Sequence, residues 1–198
     1  MKKLKDYIIQ FENVMAPEMC QNLIKTYDSI PKSNDHHIHR SNRIFDFDEI
    51  DMTHHEAFRP YLPAMGKLMQ RVNREYLRKT SNVLEERLQC YEPFNDFECP
   101  RIKRYEPNQG VFDWHIDCAN HDSAHRAVVL FWYLNDVEEG GETIFDVGEE
   151  LIVKPRAGNV ICFPPYYMFP HKGATPISGP KYVISSYVKL PQHAPACD

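Results

Sequence analysis

From Phe97 onward the chain is a succession of short apolar and aromatic segments, each ended within a few residues by Gly, Pro, Asn or Asp. None is long enough for an ordinary helix, and their Val, Ile, Phe and Tyr content suits a pleated, half-buried surface. The expected strands are residues 97–106, 111–117, 126–134, 142–145, 150–153, 159–163 and 181–190. Turns such as Asn108-Gln109-Gly110, Glu139-Gly140-Gly141, Ala157-Gly158 and Ser178-Gly179-Pro180 separate them. Many short strands at this spacing close into a sandwich or barrel.

Upstream the pattern is helical. Residues 7–14 read as a first strand, and Pro17 suits the first position of a helix carrying Cys20, Leu23, Ile24 and Tyr27 at i, i+3, i+4, i+7 and ending near Pro31. A second helix is expected after Thr53, with Thr53 and Glu56 forming a capping box. Its apolar face is Phe58, Leu62, Met65, Leu68, Met69, Val72, Tyr76 and Leu77, and Pro60 and Pro63 should kink or split its start. Residues 32–51 are polar and are read as a solvated loop near the mouth of a site. The cluster His36, His37 and His39 there lacks the Cys or spaced carboxylate that would complete a metal site. Helices first and strands later give an α+β class with one domain over residues 1–198: helical support at about 15–90 and a β-barrel at about 97–190.

The 198 residues suffice for one sizeable core. The formal charge of −5 gives no electrostatic reason to expect a nucleic-acid partner. No apolar run reaches the roughly 20 residues that cross a bilayer, so no membrane is expected. Lys2, Lys3 and Lys5 give the start of the chain the charge of a signal peptide, but Gln10, Glu12 and Asn13 interrupt the apolar run behind them. The expected location is therefore cytoplasmic. The six cysteines, Cys20, Cys90, Cys99, Cys118, Cys162 and Cys197, contain no Cys-x-x-Cys pair and are expected as thiols.

Within the barrel segment, His115 and Asp117 lie two apart, and on a strand both point to one face. Cys118 then points away from them. His171 follows in the aromatic, Pro-rich stretch after the strand at 159–163. Two His and one carboxylate can close three sides of an ion, the facial triad of non-haem Fe(II) oxygenases. Lys181 opens the last strand, and a lysine inside a barrel needs an anion, which a dicarboxylate co-substrate would supply. Tyr105, Tyr133 and Thr143 offer hydroxyls to the same carboxylate. Each residue alone also has an ordinary reading: a surface His beside an Asp, a core His satisfied by a carbonyl, a lysine snorkelling to water.

Taken in order, Arg104-Tyr105, Trp114-His115-Ile116-Asp117, Tyr133-Leu134-Asn135-Asp136, Gly140-Gly141-Glu142-Thr143-Ile144-Phe145, Phe163-Pro164, His171-Lys172-Gly173 and Gly179-Pro180-Lys181 resemble the prolyl 4-hydroxylase branch of the Fe(II)/2-oxoglutarate dioxygenases. The resemblance runs from about Arg104 to Leu190. It implies a distorted double-stranded β-helix, jelly-roll and cupin-like, with N-terminal supporting helices. It also implies Fe(II) on His115, Asp117 and His171, and 2-oxoglutarate held by Lys181 with Thr143, Tyr105 and Tyr133. O2 is the third reactant, with ascorbate as reductant. Arg126 matches a position facing the target peptide. Phe112 stands where the family often has Tyr, and Tyr187 where Trp is common. Both lie toward the substrate in relatives.

The implied activity is hydroxylation of a protein or peptide side chain, prolyl first, coupled to oxidative decarboxylation of 2-oxoglutarate to succinate. Hydroxylation of a free amino acid or small metabolite is the alternative within the class. A non-catalytic metal-binding β-barrel is the alternative outside it, disfavoured because every ligand and Lys181 are present.

Overall fold

The computed structural model describes residues 2–81 and 96–190. Cys90, Cys197 and the last part of the expected helical support lie outside the described residues.

Two α-helices are present among the described residues. The first, α1 (Pro17–Ser29), starts with Pro at its first turn, where the missing N–H costs nothing. It buries Cys20, Leu23 and Tyr27. A 3-10 turn (Glu56–Tyr61) precedes α2 (Leu62–Thr80), so Pro60 and Pro63 do split the helical run. Helix α2 buries Met65, Met69, Val72 and Tyr76 on one face. The expected capping box is absent. Asp51 accepts from both the N–H and the hydroxyl of Thr53, and the cap of the 3-10 turn is His55, whose Nδ1 accepts from the Ala57 N–H.

Twelve strands form one all-antiparallel, curled sheet: β1 (Ile9–Phe11), β2 (His37–Ser41), β3 (Phe45–Asp51), β4 (Asp96–Phe97), β5 (Arg101–Tyr105), β6 (Val111–His115), β7 (Arg126–Tyr133), β8 (Thr143–Asp146), β9 (Glu150–Val153), β10 (Val160–Phe163), β11 (His171–Gly173) and β12 (Lys181–Lys189). The order is β1-β10-β7-β12-β5-β3-β6-β11-β8-β9, with β2 added on β3 and β4 on β12. Strand β3 carries the sheet around its bend, pairing with β5 through residues 48–51 and with β6 through Phe45 and Asp46.

Alternation along the central strands sorts side chains into two cores. From β12, Tyr182, Ile184 and Val188 pack with the helices, while Val183 and Tyr187 face the barrel interior. From β7, Val128, Leu130 and Trp132 go to the helix side, and Val129 and Tyr133 go inside. Strand β12 is accordingly buried along almost its whole length, with Ser185 and Ser186 among its apolar residues, as a strand covered on both faces must be.

Three expectations need correction. The polar stretch 32–51 is not a loop but a hairpin, β2–β3, and β3 lies within the sheet. Its sequence, Phe-Asp-Phe-Asp-Glu-Ile-Asp, alternates only as far as Asp48, and its buried acids are paired: Asp48 with Lys32 and His39, Glu49 with Arg40. Residues 7–14 form only a three-residue strand, preceded by a 3-10 turn (Leu4–Tyr7) and ended before Asn13, whose φ is +53°. The Pro-rich stretch around His171 contains a short strand, β11, between β6 and β8.

Candidate metal centre and its pocket

Strand β11 sets the metal geometry. His171 is the direct cross-strand partner of His115, and their rings lie 4.2 Å apart between centroids. Strand β6 ends at His115, so Asp117 is not on the ladder, contrary to the same-strand expectation. Instead the chain turns inward after His115. The Cys118 N–H donates to the Pro165 carbonyl at 3.0 Å, and Arg126 donates to the Asp117 carbonyl at 2.8 Å. The result is a tight group in which one donor atom from each of His115, Asp117 and His171 lies within 4.8 Å of the others. His171 Nε2 is 3.3 Å from Asp117 Oδ2, and His115 Nε2 is 3.9 Å from Oδ1.

The surroundings orient all three groups. His115 Nδ1 bonds to the Asp113 carbonyl at 2.7 Å, and His171 Nδ1 to the Phe169 carbonyl at 3.1 Å. A carbonyl accepts only, so each Nδ1 carries the proton and each Nε2 presents its lone pair to the centre. Phe112 stacks flat on His115 at 3.5 Å and 4°. The Tyr187 hydroxyl donates to Asp117 Oδ1 at 2.8 Å. Burial, followed by the field of His171, pushes the His115 imidazolium down to about 4, so His115 is neutral at pH 7. Burial opposes ionisation of Asp117, yet His171, His115 and Tyr187 together hold its carboxyl well below the usual carboxylate range. Two imidazoles presenting Nε2 and one carboxylate fit a divalent cation with an open face.

A narrow cavity of about 30 Å³ leads inward from the triad to Lys181. Lys181 is 2% exposed, and its ammonium lies 5.5 Å from the Tyr105 ring and 5.7 Å from those of Phe131 and Tyr133. The Tyr133 hydroxyl donates to Thr143 Oγ1 at 2.7 Å. Gly140 and Gly141, both at positive φ, lead the chain to Thr143; a Cβ on Gly140 would stand 2.3 Å from the Thr175 carbonyl oxygen. Burial pushes the Lys181 ammonium down to about 7, and among the described residues no carboxylate forms an ion pair with it. Tyr105, Thr143 and Lys181 line this cavity, and Tyr133 touches it indirectly, through its bond to Thr143 and its ring near the Lys181 ammonium.

Outward, the triad opens into a cleft of about 450 Å³. The β2–β3 hairpin supplies Arg40, Phe45, Phe47 and Glu49 to it, and the segment after Asp117 supplies Asn120 and Asp122. Arg126 lines this cleft, but its guanidinium is already engaged. It bonds both oxygens of Glu98 at 2.7 and 3.0 Å and lies 3.7 Å from the Tyr187 ring centroid. Glu98 also holds Arg101 and His125. Sequence reasoning missed Glu98, the tie from Tyr187 to Asp117, the hairpin wall and Lys103, a second buried lysine. Lys103 was findable: it lies two residues before Tyr105 on an expected strand and so shares its inward face.

Residues 100–189 match the family model described as the 2OG-Fe(II) oxygenase superfamily. A probable prolyl 4-hydroxylase of Arabidopsis thaliana is 32% identical over 125 residues, which is 49% of this chain; the chain covers 42% of that relative's length. A Pseudomonas putida prolyl-4-hydroxylase structure aligns with TM-score 0.65 at 20% identity, over 93% of this chain and 92% of the other. A Trichoplax adhaerens prolyl hydroxylase, solved with a hypoxia inducible factor peptide fragment, aligns with TM-score 0.69 at 14% identity, over 93% and 84%. A viral collagen prolyl hydroxylase from Paramecium Bursaria Chlorella virus-1, in its 2OG complex, gives 0.63 at 21%, over 94% and 97%. At these identities the structures establish a shared double-stranded β-helix fold.

Proposed function

We propose that this chain, whose residues 100–189 match the family model of the 2OG-Fe(II) oxygenase superfamily, is a prolyl 4-hydroxylase-like dioxygenase acting on a protein or peptide side chain. The carrying observation is the continuity of three parts: a closed pocket ending on Lys181, the His115–Asp117–His171 centre, and an open cleft beyond it. Iron, when bound, supplies O2 activation coupled to decarboxylation of 2-oxoglutarate to succinate.

The chain's own residues account for the rest. His115 and His171 present Nε2, with tautomers fixed by the Asp113 and Phe169 carbonyls. Asp117 supplies the carboxylate, steadied by Tyr187. Lys181 receives the distal carboxylate of 2-oxoglutarate, a charge-assisted contact in a water-poor site. Tyr105 and Thr143 lie within the same lining and cooperate with it. The rings of Phe112, Phe131 and Phe163 exclude water around the reacting atoms. The target sits in the outer cleft, whose volume of about 450 Å³ leaves room for more than a free amino acid.

The prolyl assignment draws on the Arabidopsis relative's name and on the peptide held by the Trichoplax protein. The test is a proline-containing peptide library with Fe(II), 2-oxoglutarate and ascorbate, read by succinate formation and by gain of one oxygen atom on the peptide. The expected result is peptide-stimulated succinate release with hydroxyproline. Hydroxylation of a free amino acid instead, with no peptide turned over, would overturn the peptide reading.

A further inference from the structure

Lys103 is the second buried lysine of the barrel interior. It is 7% exposed, on β5, and lines both the inner cavity and the outer cleft. Its ammonium lies 4.7 Å from the Phe47 ring centroid and 5.9 Å from that of Phe112, the ring stacked on His115. Among the described residues no carboxylate forms an ion pair with it. Glu49 and Asp117 are the acids whose fields reach it. Glu49 is taken by Arg40, and Asp117 by Tyr187 and the metal centre. The cleft's other cations differ in this respect. Arg101 and Arg126 are both ion-paired to Glu98.

A desolvated ammonium without a counter-ion is costly and is best explained by an anion that arrives with a ligand. The position narrows which ligand. Lys181 already ends the inner pocket where the co-substrate's distal carboxylate belongs, whereas Lys103 faces the junction of pocket and cleft, beside the ring that covers His115. Burial pushes the Lys103 ammonium down to about 8, which still leaves it charged at pH 7.

We propose that Lys103 is a specificity-determining residue that binds a carboxylate of the primary substrate, so that the target carries an acidic side chain close to the hydroxylated residue. This rests on the peptide-hydroxylase reading above.

The test uses protein loaded with Mn(II) and N-oxalylglycine, which bind without turnover. A set of acetylated, amidated pentapeptides with central Pro carries one Glu or one Gln walked through the other four positions. Binding is measured by calorimetry for wild type, Lys103→Met and Lys103→Arg. At one position the Glu peptide should bind roughly tenfold or more tightly than its Gln twin, the scale of a charge-assisted contact. Lys103→Met should abolish that ratio and Lys103→Arg should largely restore it. Thermal melts should show Lys103→Met folded, since an apolar side chain replaces a buried charge.

Equal binding of every Glu and Gln pair, no binding of any peptide, or a preference that survives in Lys103→Met overturns the proposal. So does a Lys103→Met protein whose main loss is affinity for 2-oxoglutarate, which would assign the lysine to the co-substrate. Lys103-dependent binding with no hydroxylated product in the active Fe(II) reaction would leave the proposal standing and count against the prolyl reading instead.

Discussion

Lys181→Met isolates the electrostatics of the co-substrate pocket. In the ligand-free protein the ammonium is 2% exposed, without an ion pair among the described residues, and lowered from 10.5 to about 7 by burial. At about 1.4 kcal/mol per pKa unit, holding it charged below pH 7 costs roughly 5 kcal/mol relative to an exposed lysine. The folded value is depressed, so between pH 7 and 10.5 the unfolded chain binds more protons than the folded one. Wild-type stability should therefore rise with pH across that window, and Lys181→Met should be the more stable protein below pH 7. Ligand binding reverses the penalty, because the distal carboxylate restores the charged form. Affinity for 2-oxoglutarate should thus fall as pH rises above about 7, approaching tenfold per unit, with proton uptake on binding. In Lys181→Met the affinity should be lower by about 2–5 kcal/mol, the cost of truncating one member of a buried charge pair, and should lose this slope. Calorimetric titration of the Mn(II) protein between pH 6.5 and 9, in buffers of different ionisation enthalpy, measures both quantities. A pH-independent wild-type affinity, or the same slope in the mutant, would refute the assignment of Lys181 as anchor.

Other expectations follow from single contacts. Tyr187→Phe removes the hydroxyl that holds Asp117 Oδ1 and should weaken metal affinity or turnover by roughly 10–100-fold with little loss of stability; metal titration checks this. Glu98→Gln leaves Arg101, His125 and Arg126 without their shared acid and should cost about 3 kcal/mol in a denaturant melt. Arg126 and His125 hold the Glu98 carboxyl below its ordinary value against the opposing effect of burial. Its contribution is therefore present above the unfolded carboxylate pKa and lost as pH falls through the folded one, so the gap between wild type and Glu98→Gln should close in acid. Leu130→Ala, on the helix side of β7, should cost about 2–5 kcal/mol and leave affinity for 2-oxoglutarate unchanged, which separates the two cores.

Much of the barrel was legible because its signals are local. Strands β7 and β10 are largely apolar runs bounded by turn residues, Pro17 marks a helix start through its fixed φ, and Pro60 and Pro63 mark where the second helical run is split. Lys181 stood out because a charge opening a buried strand needs a partner. What escaped depends on partners distant in sequence. The β2–β3 hairpin looked polar because the neutralisation of Asp48 and Glu49 by Lys32, His39 and Arg40 appears only once the strands pair. Strand β11 is three residues long and exists because β6 and β8 flank it. Asp117 reaches the centre through an inward turn rather than the strand periodicity that first linked it to His115. Residues 97–106 read as one strand, whereas Glu98 lies in the break between β4 and β5, and nothing local says that it collects Arg101, His125 and Arg126.

The most direct test of the account is an anaerobic titration of the metal-free protein with Fe(II) and then 2-oxoglutarate, followed by visible absorption. A weak metal-to-ligand charge-transfer band should appear only when both are present and be absent in Asp117→Ala, with circular dichroism showing that variant folded. A folded wild-type protein that gives no band, or an Asp117→Ala protein that gives the same band, would contradict the assignment of His115, Asp117 and His171 as the iron site.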